Sequence, residues 1–213
     1  MKKALIAWGG WDGHEPREGA ERVGAILGEE GFDVTTVEGS EAFADPGLAG
    51  YSLIVPILTM SKIGKEELAS LTAAVKGGVG LGGYHGGMAD AFRDAPEYQF
   101  MVGGQWVAHP GNVIDYRVDV IRPDDPVMQG IGSFAYHSEQ YYMHVDPRNE
   151  VLATTTFGGE HAEWIEGVVM PVVWKTRYGR GRVFFTSLGH VAREFDVPQM
   201  ATILRRGLVW AAA

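Results

Sequence analysis

Histidine residues stand where apolar segments of the sequence give way to small residues. His85 lies in the run Gly83-Tyr84-His85-Gly86-Gly87, which directly follows an apolar stretch. A residue framed by small neighbours at a tight strand-to-helix turn is held at the top of a sheet, near the free amides of a helix N-terminus. Histidine in that position can act as a base, an acid or a metal ligand. We therefore predict a functional role for His85 in preference to a role in packing alone.

Other groups able to transfer protons lie on neighbouring predicted loops. His109 precedes Pro110, which favours an extended loop conformation for the histidine. The segment His137–Tyr142 holds a carboxylate and two phenols, and His190 follows a predicted strand. If these loops converge with His85, the mixture suits proton transfer on a polyol or carbonyl substrate. The predicted catalytic residues are His85, His109, Glu139, His190 and Tyr141.

A divalent metal is the alternative use of the same groups, because histidine and glutamate side chains could also bind one. The candidate ligands are His85, His109 and His190, which lie far apart in the chain. They do not form a pair with i, i+4 spacing of the kind found in local zinc motifs. The sequence therefore predicts no particular cofactor.

Aromatic residues in predicted loops favour a sugar as the ligand, because aromatic faces stack on the C–H faces of sugars. Tryptophan and tyrosine are plentiful, with six and eight residues respectively. The predicted substrate-binding residues are Trp11, His14, Tyr84, Trp106 and Tyr142.

The elements that must position these side chains alternate between strand and helix in the first half of the chain. Apolar patterns predict strands at 3–8, 32–37, 51–58 and 79–84, and helices at 15–30 and 65–76. Apolar strands without alternation favour a parallel sheet covered by helices on both faces. Ligands of such sheets bind beyond the carboxyl ends of the strands, which places 9–14, 59–63 and 84–88 around one crevice.

The second half is less regular. A short helix is predicted at 89–93 and a closing amphipathic helix at 197–212. Strands are predicted at 113–121, 134–145 and 151–156, followed by a late pair at 171–174 and 182–187 with a turn at 178–181. Neither a linker nor a repeat is evident, so residues 1–213 are predicted to form a single domain.

Composition excludes several classes of function. The 213 residues carry a formal net charge of -9 at pH 7, which disfavours nucleic acid as a partner. The absence of cysteine excludes thiolate metal sites and cysteine nucleophiles. The apolar run after the N-terminus is too short for a secretory signal or a membrane span. The expected location is the cytoplasm without membrane association, and no pattern indicates an oligomeric state.

Several segments, in this order, together resemble the trehalose-utilisation (ThuA-like) family, and the resemblance covers nearly the whole chain. The segments that carry it are 83–87, 103–110, 125–131, 139–141, 171–174 and 178–190. Two positions depart from the family pattern. Asp125-Pro126 stands where the family often has His-Pro, and Ser138-Glu139 stands where it often has Asp-Glu.

The resemblance implies an α/β fold of the flavodoxin-like, class I glutamine amidotransferase-like type, a three-layer α/β/α sandwich with a mainly parallel central sheet. It also implies a function in carbohydrate metabolism beside a sugar dehydrogenase partner. Without cysteine, glutamine hydrolysis through a thioester is not available. We expect an enzyme that acts on a disaccharide, glycoside or keto-sugar by histidine-based acid/base chemistry. A non-catalytic sugar-binding or regulatory domain is the alternative.

Overall fold

The computed structural model describes residues 2–212. Its strands are β1 (Lys3–Gly10), β2 (Asp33–Glu38), β3 (Leu53–Thr59), β4 (Gly80–Tyr84), β5 (Gly104–Ala108), β6 (Val113–Val120), β7 (Phe134–Glu139), β8 (Tyr142–Val145), β9 (Glu150–Thr156), β10 (Val169–Tyr178) and β11 (Gly181–Thr186). Its α-helices are α1 (Pro16–Glu29), α2 (Lys65–Gly77), α3 (His85–Ala89), α4 (Pro96–Val102) and α5 (Pro198–Ala211). The chain is therefore a mixed α/β protein, as predicted.

Nine strands form one sheet in the order β2-β1-β3-β4-β11-β10-β9-β6-β7, and β5 pairs with β8 in a second, two-stranded sheet. Strands β2, β1, β3, β4 and β11 run parallel to one another. From β11 onward, through β10, β9, β6 and β7, each strand pairs antiparallel with the next. The large sheet is thus mixed, where a mainly parallel one was expected. The parallel half comes from strand–helix alternation, and the antiparallel half comes from segments that lack connecting helices.

Each central strand contributes to two hydrophobic clusters, one on each face of the sheet. In β1, Ala4 and Ile6 belong to one cluster, while Leu5 and Ala7 belong to the other. This follows from the two-residue period of a strand. Helices α1 and α5 cover the first face, and α2 and α4 cover the second. With both faces buried, the ends of the strands are the places left for a site.

Some predicted elements differ from the structure. The short helix expected at 89–93 begins earlier, at His85, directly after β4. The strand expected at 134–145 is broken between β7 and β8, where Gln140 bonds Thr155 and Tyr141 turns inward. Helix α4 and strand β5 were not predicted, because such short segments show little periodicity. Among residues 2–212, no helix has the length and apolar character needed to cross a bilayer.

Glycine allows helix α5 to approach the sheet closely. A Cβ atom added to Gly207 would overlap the ring of Phe184 on β11, and both residues are buried. We expect Gly207→Ala to lower the free energy of unfolding by about 1–3 kcal/mol, as overpacking does. The matched control is Gly28→Ala at an exposed position of helix α1, where an added Cβ meets nothing within 4 Å. That change should stabilise by about 0.5–1 kcal/mol, and urea unfolding of both variants tests the opposite signs.

Candidate functional site

His85 occupies a strained turn between β4 and α3. Its φ angle is 46°, in the left-handed region that non-glycine residues rarely adopt. The glycine that follows makes room for another imidazole, because a Cβ on Gly86 would lie 2.5 Å from Cε1 of His14. The glycine frame seen in the sequence therefore brings two histidines together. Backbone strain of this kind concentrates at functional sites.

Four side chains converge at this turn. Glu139 Oε2 lies 3.0 Å from His85 Nε2, 3.3 Å from His190 Nδ1 and 3.8 Å from His14 Nε2. His190 Nδ1 is 3.3 Å from His85 Nε2. The four groups come from the loop after β1, the start of α3, the end of β7 and the loop after β11. The crevice at the carboxyl ends of the parallel strands thus holds a cluster of three imidazoles and one carboxylate, called the His/Glu cluster below.

Hydrogen bonds from neighbouring elements orient two of the imidazoles. His85 Nδ1 donates to the carbonyl oxygen of Ser187 at 2.7 Å, since a carbonyl can only accept. His14 Nδ1 is hydrogen-bonded to Thr59 Oγ1 at 2.9 Å. Both contacts leave the Nε2 atom of the ring facing Glu139. The orientation of both rings, and the presence of a proton on Nδ1 of His85, are therefore set from outside the His/Glu cluster.

Burial and charge determine the protonation of the cluster. Burial lowers the pKa of His85 to about 4, so this imidazole is neutral at pH 7. Burial by itself would raise the pKa of Glu139, but the imidazoles of His14, His190 and His85 outweigh it and hold that pKa well below its usual range. Glu139 is therefore an anion among imidazoles. Burial, followed by the charge of Glu139, raises the pKa of Tyr141 far above its ordinary value and keeps the phenol protonated.

His109 approaches the other oxygen of the same carboxylate. Its Nε2 lies 3.7 Å from Glu139 Oε1, and 28% of its side chain is exposed. His190 is 14% exposed, whereas His85 is 1% exposed. Two imidazoles that solvent can reach, His109 and His190, therefore contact different oxygens of one carboxylate. This arrangement can pass protons between a bound molecule and the cluster.

Aromatic rings surround the cluster. Tyr141 lies against His85 with ring centroids 4.1 Å apart, and Trp106 lies 5.5 Å from His109. Arg93, held by two hydrogen bonds to buried Asp90, places its guanidinium 5.1 Å from the centroid of the Trp106 ring. These contacts fix one wall of the crevice.

The family can now be established from the sequence. The family model described as "ThuA: Trehalose utilisation" matches residues 3–211. The chain belongs to the ThuA family. The resemblance inferred from the ordered motifs is thereby confirmed, and a relation to carbohydrate utilisation follows from it. No curated protein is a significant sequence match.

Solved structures agree with this membership at the level of the fold. A ThuA-like protein from Parabacteroides merdae superposes with a TM-score of 0.80 at 21% identity, covering 100% of this chain and 90% of the other. A ThuA-like protein from Bacteroides uniformis gives a TM-score of 0.81 at 20% identity, covering 99% and 91%. A β-galactosidase from Bacillus circulans gives 0.61 at 15% identity, and this chain spans 30% of its length. Identities this low show a shared fold only.

The structure of this ThuA-family chain brings together four predicted catalytic side chains, those of His85, His109, Glu139 and His190, with Tyr141 stacked beside them. Of the predicted substrate-binding residues, His14 lies in the cluster itself, Trp106 lines the wall, and Trp11 packs edge-on against His14 at 4.7 Å. Two others point elsewhere. Tyr84 packs into the core against Phe195, and Tyr142 packs against Phe157.

A second buried carboxylate, not identified from the sequence, holds the loop that carries His190. Glu194 Oε2 accepts hydrogen bonds from the backbone N–H groups of His190 and Gly189, at 3.0 and 3.2 Å, and from the hydroxyl of Tyr136 at 2.5 Å. The Ser138 hydroxyl donates to the same carboxylate at 2.9 Å. The residues around Glu194 in the sequence form no pattern that predicts this role. Glu194 therefore positions an imidazole without touching it.

Replacing Glu194 with glutamine tests this positioning. Glutamine keeps one acceptor oxygen but loses the charge, and hydrogen bonds to charged groups are roughly twice as strong as neutral ones. We expect Glu194→Gln to lower the free energy of unfolding by about 1–3 kcal/mol in urea titrations. The control is Glu163→Gln at an exposed position, which should change it by less than about 0.5 kcal/mol. Equal effects of the two changes would contradict the assigned role.

Proposed function

We propose that this ThuA-family chain is a cytoplasmic enzyme that transfers protons on a sugar bearing a carbonyl group, within the wider class of disaccharides, glycosides and keto-sugars. Family membership supports the carbohydrate part of the proposal. A structural neighbour described as a cytoplasmic protein from Salmonella typhimurium LT2, with a TM-score of 0.65, is consistent with the location. Helices on both faces of the sheet support a flavodoxin-like, three-layer fold.

One observation carries the proposal: a single carboxylate stands between two partly exposed imidazoles. Glu139 lies within 3.3 Å of His190 on one oxygen and 3.7 Å of His109 on the other. A carboxylate beside an imidazole stabilises the protonated ring and fixes its orientation. Both rings contact this one carboxylate. Such a pair suits a reaction in which one group takes a proton while the other gives one.

The reaction that fits is enolisation of a keto-sugar. One of the two imidazoles removes the proton from the carbon beside the carbonyl, and the other donates a proton to the carbonyl oxygen, which gives a neutral enediol. The imidazolium then returns its proton to the former carbonyl carbon, while the hydroxyl on the carbon that lost its hydrogen gives its proton back to the other imidazole. The carbonyl has moved by one carbon, and no atoms are gained or lost. His85, which is fully buried, is assigned to the interior of the cluster, where it contacts Glu139.

The surroundings of the pair suit a sugar. Trp11 is 48% exposed beside the cluster and offers a face for stacking. The ring nitrogens Trp106 Nε1 and His109 Nδ1 are buried without a hydrogen-bond partner among the described residues. Buried polar groups are rarely left unpaired, so a hydroxyl-rich ligand is a suitable partner here.

Proton NMR in D₂O tests the proposal. The protein is incubated with trehalose and with its keto form, and deuterium uptake at the carbon beside the carbonyl is followed together with product formation. We expect exchange and turnover with the keto form. His109→Gln and His190→Gln should each lower the rate by about 10²-fold or more. The control is His144→Gln at an exposed position outside the site, which should leave the rate unchanged.

Sugar binding without exchange or turnover would overturn the proposal in favour of a sugar-binding or regulatory domain. Ligand-induced thermal stabilisation distinguishes that result from a protein that does not bind the sugar at all. A dehydrogenase partner that supplies the keto-sugar would be detected by co-purification, and turnover that required this partner would assign the chain as one subunit of a larger enzyme.

A further inference from the structure

We infer that the His/Glu cluster of His14, His85, Glu139 and His190 is a binding site for one divalent first-row transition metal ion. One ligand atom from each residue lies within 4.8 Å of the other three. The set differs from the one considered from sequence, because the geometry replaces His109 with His14 and adds Glu139. The inference concerns the site used in the proposed function and rests on that function, but it changes one role. With the ion bound, His190 would be a ligand, and His109 would be the imidazole left to transfer protons. It is tested by binding and not by turnover.

The hydrogen-bond pattern points to a cation. His85 Nδ1 donates to the Ser187 carbonyl, which leaves Nε2 facing Glu139 Oε2, 3.0 Å away. A carboxylate oxygen is a common ligand of such ions. His190 Nδ1 lies 3.3 Å from both of these atoms, and His14 Nε2 faces the same oxygen. Four nitrogen and oxygen atoms that converge on one point can together coordinate a positive ion there.

The spacing of the four atoms fits a coordination sphere. Zinc bonds of about 2.0–2.2 Å to nitrogen and oxygen place tetrahedral ligands about 3.3 Å from one another. The measured separations that involve Glu139 are 3.0, 3.3 and 3.8 Å. The four atoms lie within 4.8 Å of one another, so the wider pairs would have to draw together for the side chains to surround one ion. His109 Nε2 faces the other carboxylate oxygen, which leaves that imidazole free for the substrate.

Contacts outside the cluster match those found around metal-bound histidines. A ligating imidazole usually donates its other ring N–H to a carbonyl, a carboxylate or another fixed acceptor, which sets the tautomer. Ser187 accepts from His85 in this way, and the buried hydroxyl of Thr59 bonds His14. Three imidazoles with one carboxylate suit zinc, manganese or iron(II), whereas calcium and magnesium prefer oxygen ligands.

The test is metal binding by the full chain after dialysis against EDTA. Isothermal titration with Zn²⁺ and with Mn²⁺, checked by elemental analysis after gel filtration, should show one ion per chain. Glu139→Gln and His190→Gln should each weaken the affinity at least 100-fold. Thr59→Val should weaken it by about 10–100-fold, the usual effect of losing an outer partner. The matched control is His137→Gln, because exposed His137 lies 2.8 Å from Asp115 and forms an ordinary surface histidine–carboxylate pair.

Measurements on the wild-type chain keep the test decisive if a variant fails to fold. Zn²⁺ should raise the melting temperature of the wild-type chain in proportion to the logarithm of its concentration. Co²⁺ should give the visible absorption of a nitrogen- and oxygen-ligated ion. Substoichiometric binding, no thermal shift, or equal losses in His137→Gln and Glu139→Gln would overturn the inference. Stoichiometric binding without turnover of a keto-sugar would support the metal site and overturn the proposed function.

Discussion

Glu139→Gln is expected to lower kcat for the keto-sugar by about 10³-fold, within the range by which positioned acid–base groups accelerate reactions. The change removes the one negative charge that the surrounding imidazoles share. The amide is nearly the same size, but its NH₂ group cannot accept a hydrogen bond from an imidazolium. Neither His109 nor His190 would then contact the carboxylate that orients it for proton transfer. Initial rates from NMR, with circular dichroism as a check on folding, measure the effect.

The form of the loss identifies the role of this carboxylate. The Glu139 side chain is 7% exposed and reaches the substrate through its imidazole neighbours, so KM should change by no more than a few-fold. The control is Asp115→Asn, which neutralises a carboxylate 2.8 Å from an imidazole on the open surface. That variant should retain wild-type rates. A kcat for Glu139→Gln within threefold of wild type would remove the shared carboxylate from the mechanism.

The first half of the fold could be predicted because its elements are long and locally determined. Helix α2 was predicted at 65–76 and spans Lys65–Gly77, and β3 was predicted at 51–58 and spans Leu53–Thr59. The pairing of the later strands is not a local property. Strand β6 pairs with β9 and β7, so the antiparallel half depends on contacts between segments distant in the chain. The sequence pattern predicts the strands but not this order.

The site was predictable to the extent that strand ends share one edge of the sheet. Loops after β1, β3 and β4 were expected around one crevice, and Trp11, Thr59 and His85 do lie there. The role of His14 was harder to foresee, because its loop has the pattern of an ordinary helix start. No sequence pattern around Glu194 indicated its role. Its function depends on backbone N–H groups, which every residue carries, and on a turn whose shape is set by tertiary packing.

A buried ion pair explains one departure from the family pattern. Asp125, where the family often has histidine, forms a salt bridge with Lys175 on β10, and both side chains are at least 92% buried. Asp125 Oδ1 also accepts a hydrogen bond from the backbone N–H of Val127 at 2.9 Å. The Lys175 ammonium lies 5.0 Å from the centroid of the Trp210 ring on α5. The pair thus ties the 125–127 turn to the sheet and the last helix.

Lys175→Met is expected to lower the free energy of unfolding by about 3–5 kcal/mol, because it leaves the carboxylate of Asp125 buried without a counter-ion. The carboxylate of Glu150, which is 45% exposed, lies 3.6 Å from the Lys175 ammonium. Because it is also negative, it cannot replace the lysine as a counter-ion for Asp125. For a chain of this size each kcal/mol corresponds to about 2–4 °C, so the melting temperature should fall by roughly 10 °C. Urea unfolding and calorimetry measure the two quantities.

The double variant Lys175→Met with Asp125→Asn separates loss of the ion pair from loss of packing. Asparagine keeps the oxygen that accepts from Val127 and carries no charge, and methionine fills the volume of the lysine stem. We therefore expect the double variant to regain most of the stability lost in Lys175→Met, although it contains one substitution more. If the double variant were no more stable than Lys175→Met, the cost would lie in packing against Trp210 and not in an uncompensated carboxylate. The result decides whether the aspartate at this position depends on its lysine partner.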